Sequence, residues 1–266
     1  MLNKFVVLPI LILMLGFASA DILVTSPTEN RLLPNERLEL GSISPGETLI
    51  IGINSDTGYT TQQKWSRAEF ISETLPENWE YTNSKYLADV FTLQLKVPED
   101  AEKGAYNAKI KLTDVKHNIP DEFVQLLFYV EDNLITADIS DLRQDVIVGE
   151  QASFKLTIIN DSIAEHEISV ASTLPSYWFS GQKITARPKS VITKTLKADP
   201  KVYGTKQFDF YITSEQTGKK IATFNAQLNV FPTPSSKFAS GFNGLAFFTP
   251  NMLVSYFINS FISLLG

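Results

Sequence analysis

The chain contains no cysteine and only two histidines, His117 and His166. The first absence excludes disulfides, thiolate metal sites, iron–sulfur ligation and cysteine nucleophiles. His117 falls in a polar loop and His166 follows an apparent turn in the other half of the chain, so both are expected at the surface. Neither a two-histidine metal site nor a Ser–His–Asp arrangement within one domain is then available. Basic charge is also short: 23 Lys+Arg stand against 29 Asp+Glu, a net charge of -6, which argues against nucleic acid as a partner. No G-x-S-x-G, H-E-x-x-H, P-loop or dinucleotide fingerprint occurs. The expectation is a non-enzymatic protein with no cofactor.

What is present is unevenly distributed. The mean hydropathy of -0.01 averages a polar middle with two apolar ends. At the N-terminus, Lys4 precedes an apolar run over 5–17, then Ala18-Ser19-Ala20 before Asp21. A basic start, a short apolar run and an A-x-A site predict a secretory signal peptide over 1–20, cleaved after Ala20. An uncleaved N-terminal membrane helix is the competing reading. A lipoprotein signal is excluded by the missing cysteine. Export into a compartment that permits disulfides, with none used, points to a prokaryotic surface protein.

At the other end no charged residue occurs over 238–266, a run longer than the ~20 residues a spanning helix needs. Thr249-Pro250 reads as a helix start, yet a helix over 251–265 would be only about 22 Å long at ~1.5 Å per residue. The segment is therefore expected to span with a kink at Pro250, to re-enter as a hairpin, or to lie in the interface. Asn251, Ser255, Asn259 and Ser263 recur every four residues and form one slanted polar stripe, the kind membrane helices use to pack on a partner helix. Incidental polar content in a marginal anchor is the alternative.

Between the ends the sequence repeats at a spacing near one hundred. Gly46-Glu47 before an apolar run matches Gly149-Glu150, and Leu75-Pro76-Glu77-Asn78-Trp79 matches Leu174-Pro175-Ser176-Tyr177-Trp178. Gly104 matches Gly204, and strands ending at Val130 and Val230 close each copy. Four landmarks in one order imply a tandem duplication. Each copy reads in period two: Phe91, Leu93 and Leu95, then Ala108, Ile110 and Leu112; Phe154, Leu156 and Ile158, then Phe208, Phe210 and Ile212. Strands that bury one face at this spacing, with no amphipathic helix between them, predict an all-β fold: two tandem immunoglobulin-like antiparallel β-sandwiches. The predicted boundaries are 21–132 and 133–231 for the sandwiches, 232–237 for a linker and 238–266 for the membrane-associated helical segment.

The residues Val148-Gly149-Glu150, the strand into Asn160-Asp161-Ser162, and Leu174-Pro175-Ser176-Tyr177-Trp178 resemble the extracellular Ig-like modules of archaea and bacteria. These include the CARDB type and the domain that accompanies the NPCBM module in some α-galactosidases. The first copy carries the later half of the pattern in Val97-Pro98 through Gly104-Ala105-Tyr106, where Tyr106 resembles a tyrosine-corner residue. The likeness covers residues 36–231 and implies an archaeal or bacterial surface module, archaeal by preference. Such modules serve as spacers, adhesive units and accessories beside catalytic domains.

Candidate sites are few. Tyr59, Trp65 and Phe70 lie in an insert over 54–75 that has no counterpart in the second copy, and are the expected recognition surface. Trp79 and Trp178 suit a sugar-binding face, but their matching places favour packing under the loop after Leu-Pro. Glu99, Asp100 and Glu102 read as a solvated turn rather than a hydrolytic pair. Glu131, Asp132 and Asp138 at the junction, with Asn133 and Asp141 beside them, are the weak calcium candidates, against a plain polar linker. Asn160-Asp161-Ser162 is a sequon, so Asn160 is a candidate for glycosylation. The leading functional expectation is a membrane-anchored surface protein acting in adhesion, scaffolding or binding. The alternatives are an accessory subunit of a membrane complex, recruited through the C-terminal helix, and a carbohydrate-binding accessory module. The partners expected are the membrane and a protein or cell-surface glycan.

Overall fold

The computed structural model describes residues 21–58, 63–87, 89–116, 119–233 and 257–263. The predicted signal peptide over 1–20 and most of the apolar C-terminal segment lie outside them. The chain divides into two units between Leu134 and Ile135, with Asp161–Glu165 counted in the first.

In the first unit, β1 (Ile22–Ser26), β2 (Asn30–Leu32), β4 (Thr48–Asn54), β6 (Glu80–Leu87) and β7 (Val90–Lys96) form one sheet in the order β2-β1-β4-β7-β6. A second sheet, β3-β9-β8-β5, is built from β3 (Arg37–Ile43), β5 (Arg67–Phe70), β8 (Gly104–Thr113) and β9 (Glu122–Val130). One hydrophobic cluster takes Ile51, Ile53, Phe91 and Leu93 from the first sheet and Leu38, Ile110, Leu126 and Phe128 from the other. The two sheets therefore face each other across a single core, with alternate residues pointing in as the period of two requires.

The second unit repeats the plan with one strand moved. β10 (Ile135–Ser140), β12 (Ala152–Asn160) and β15 (Ser190–Ala198) form a three-stranded sheet in the order β10-β12-β15. The other sheet, β11-β17-β16-β13-β14, contains β11 (Arg143–Ile147), β13 (His166–Ser172), β14 (Gln182–Ala186), β16 (Gly204–Ser214) and β17 (Lys220–Phe231). Its core is aromatic: Phe154 meets Phe208 and Phe210 edge to face at 5.8 and 5.2 Å, and Phe179 meets Phe210 at 5.4 Å. The strand after the Leu-Pro turn pairs β7 in the first unit (β6) and β13 in the second (β14).

The strand order fits the tandem Ig-like plan loosely, and one expectation changes. Pairing is not antiparallel throughout, because β3 runs parallel to β9 and β11 parallel to β17. The chain enters each unit on one sheet and then crosses to the other, where it covers the exposed side of the closing strand. Asn35 and Asp141, just before the crossing strands, have φ of 65° and 62°, a region that Asn and Asp enter more readily than other side chains.

The Gly-Glu landmark now has a physical cause. Gly46 and Gly149 have φ of 84° and 88° in the turn before β4 and β12. The Glu47 carboxylate accepts the Ser44 N–H at 2.9 Å, and Glu150 accepts the Ile147 N–H at 3.1 Å. Glycine supplies the left-handed turn and glutamate ties it shut. Glu47 is buried and Glu150 exposed. The difference comes from Asp161–Glu165 in the first unit: Ser162 Oγ donates to Glu47 Oε2, the Ile163 N–H donates to the Ser42 carbonyl at 2.9 Å, and Ile163 and Ala164 join the core.

Residues 257–263 are helical, and Phe257, Ile258, Phe261 and Ile262 are exposed. Among the described residues no helix is long and apolar enough to cross a membrane.

Candidate functional site

Each unit carries a Leu-Pro-x-x-Trp turn, and the two are finished differently. In both, the tryptophan N–H returns to the proline carbonyl, at 3.4 Å from Trp79 to Pro76 and 2.8 Å from Trp178 to Pro175. Proline fixes its own φ and so presets the turn, and the tryptophan folds under it. Trp79 is 9% exposed and Trp178 5%, so both rings are structural, in keeping with their matching places in the repeat.

In the first unit a second aromatic layer completes the packing. The Tyr106 ring lies 4.9 Å from Trp79 and 6.2 Å from Phe128, and Trp79 lies 5.8 Å from Phe128. The Tyr106 hydroxyl donates to the Glu102 carbonyl at 2.8 Å, the backbone bond expected of a tyrosine corner. Register identifies the counterparts in the second unit. Gly104 pairs with Val130 and Tyr106 with Phe128; Gly204 pairs with Val230 and Lys206 with Leu228. Lysine and leucine thus stand where tyrosine and phenylalanine close the first unit.

The result is a cavity of about 270 Å³ in the second unit, lined by Thr173, Tyr177, Trp178, Val202, Lys206 and Gln207 among others. Tyr177 is 65% exposed, and its ring stands edge to face with Trp178 at 6.4 Å. Val202 is half exposed beside it. The Trp178 Nε1–H is buried without a hydrogen-bond partner among the described residues. Lys206 lies on the same side of β16 as buried Phe208 and Phe210 but is itself exposed at the mouth. The arrangement combines an aromatic wall, an aliphatic wall and polar groups at the rim.

The residues singled out in the sequence are placed elsewhere. Trp65 (1% exposed) and Phe70 (5%) belong to the first core, so the expected recognition surface does not hold for them; Tyr59 lies outside the described residues. β5 puts Phe70 on the core side together with Ala68, and the Trp65 N–H is tied to the Ser55 carbonyl at 2.7 Å, which carries the ring inward. His166 is buried rather than exposed, because it begins β13 on the face that carries Ile168 and Val170. His117 lies outside the described residues.

Asn160 is 1% exposed, and its amide nitrogen donates to the Ala186 and Arg187 carbonyls at 3.2 and 2.9 Å. That nitrogen is the atom an N-linked glycan would need, and in the folded unit it is enclosed and committed. Among the calcium candidates, Asp132 is paired with Lys103 at 2.7 Å. Glu131 and Asp132 fall in the first unit and Asp138 in the second, and among the described residues no group of three or more metal-ligating side chains is found. Glu99, Asp100 and Glu102 are exposed. Asn259 and Ser263 are exposed on the 257–263 helix, while Asn251 and Ser255 lie outside the described residues.

The resolved pKa shifts belong to a surface pair on the second unit. A hydrogen bond from Lys183, then one from Ser169, holds the Glu215 carboxyl below its usual range. The same bond to Glu215, then the charge of Glu167, raises Lys183. Both groups are solvated and mark no catalytic centre.

No family model matches the chain, and no curated protein matches it. Similar solved structures include the CARDB domain of a Pyrococcus furiosus protein in complex with di-metal ions, at 13% identity and a TM-score of 0.31 over 37% of this chain and 94% of that one. A Porphyromonas gingivalis protein of unknown function matches at 14% and 0.29 over 78% and 99%. The Yersinia pseudotuberculosis adhesin InvE matches at 13% and 0.29 over 81% of this chain and 61% of its own. At scores and identities this low, they carry no argument about what this chain does.

The open cavity was legible in principle. Aligning the two copies position by position sets Tyr106 against Lys206 and Asn78 against Tyr177, one aromatic removed from the inside and one added outside.

Proposed function

We propose that this chain is an exported surface protein whose two Ig-like units act outside the cytoplasm in adhesion, scaffolding or binding, held at a membrane by the uncharged segment over 238–266. The observation that carries the reading is the 257–263 helix, which exposes Phe257, Ile258, Phe261 and Ile262 within a stretch that has no charge. Removing one such side chain from water is worth about 1.5–3 kcal/mol, so four together favour a lipid phase strongly. The residues over 1–20 have the order of an export signal, and the units they precede are built to bury only one face of each sheet.

The test is protease treatment of intact cells that make the full chain. The two units are expected to be digested from outside while a cytoplasmic marker survives; complete protection in intact cells with digestion after lysis would overturn the reading. Asn259, an exposed amide on the same apolar helix, favours the second reading, recruitment into a membrane complex. In that case co-purifying proteins are lost on Asn259→Leu while membrane retention persists.

A further inference from the structure

We propose that the open end of the second unit, between Tyr177, Trp178 and Lys206, binds one acidic sugar residue of a glycan. The inference rests on the reading of the units as binding modules and gives one of them a ligand. The first unit is its internal control. There the space beside the Leu-Pro-x-x-Trp turn is filled by the Tyr106 ring, 4.9 Å from Trp79. In the second unit the same register position carries Lys206, and about 270 Å³ stays open. A space that one copy fills with its own six-membered ring is sized for a ring in the other. It is at the small end for a ligand pocket, enough for one sugar and not for a long apolar chain.

The chemistry of the walls selects the ring. Tyr177 is 65% exposed beside buried Trp178. An exposed, rigid phenol offers a flat apolar face to the C–H side of a pyranose and a hydroxyl to its edge. Val202 adds an aliphatic side chain to the lining. Thr173 Oγ1 already accepts the Asp209 N–H at 3.0 Å, which fixes its position and leaves its O–H to donate.

Charge then narrows the sugar. No ion pair of Lys206 is found among the described residues, whereas neighbouring Lys201 is matched by Asp199. An ammonium at the mouth of a part-apolar cavity favours a carboxylate-bearing sugar over a neutral one.

The experiment uses the full chain in detergent micelles against immobilised uronic-acid oligosaccharides, their neutral counterparts and a tyrosine-containing acidic peptide. Binding to the uronic-acid oligosaccharides is expected, weakened about tenfold by Tyr177→Ala, the scale of one aromatic contact. Lys206→Tyr puts the first unit's tyrosine at this register position and is expected to abolish binding without lowering the melting temperature, which separates loss of the site from loss of the fold. Binding to uronic-acid sugars that survives Lys206→Tyr, equal binding to neutral sugars, or binding to the peptide alone would overturn the proposal. So would no binding at all by a chain that is retained on membranes and digested from outside, an outcome that leaves the surface reading standing.

Discussion

Asn160 lies opposite Ser190 at the end of β12, and its amide donates to two carbonyl oxygens, those of Ala186 and Arg187. Removing the amide strands the Ala186 carbonyl in a buried position and the Arg187 carbonyl in a partly buried one. Asn160→Ala is therefore expected to cost about 1–3 kcal/mol, the range for leaving a buried polar group unsatisfied. Urea unfolding of the full chain in detergent, followed by tryptophan fluorescence, measures it. A loss of only a few tenths would mean the two bonds add nothing beyond what water supplies. The sequon around Asn160 is readable in three letters, but its burial is not. The residues that enclose it, Ala186 and Arg187, are distant in sequence, and Ser162 is engaged by Glu47, 115 residues earlier. The same limit applied to Trp65, which looked free in an unmatched insert and is drawn inward by Ser55.

Strands were more legible than sites because a strand's face is written in its own residues. Phe154, Leu156 and Ile158 alternate in the sequence, and all three are fully buried. The crossing of β3 and β11 to their parallel partners was not legible, since nothing local distinguishes a short strand paired on one sheet from one paired on the other. The Gly-Glu turn belongs to the legible class. A Cβ built on Gly149 would meet no atom within 4 Å, so its φ of 88° alone decides what a side chain costs. Gly149→Ala is expected to destabilise the second unit by about 1 kcal/mol, and Gly149→Asn by less, because asparagine tolerates the left-handed region. Trp178 reports the unfolding of that unit. Equal losses for alanine and asparagine would place the cost in packing instead of the backbone.

At the scale of the molecule, a repeated strand plan is the organising fact, and the two units differ at the end that carries the Leu-Pro-x-x-Trp turn. The first unit closes the end beside Trp79 with Tyr106 and Phe128; the second leaves Tyr177 outside and a cavity behind it. Without disulfides, each unit is held by apolar packing between its sheets and by turns of the Gly-Glu kind. The proposed membrane attachment rests on the apolar C-terminal segment, which an average hydropathy near zero conceals. Alkaline carbonate extraction of membranes checks that attachment, on the full chain beside a chain ending at Phe231. The full chain is expected to stay with the lipid pellet and the shortened chain to be released. Equal release of both would contradict it.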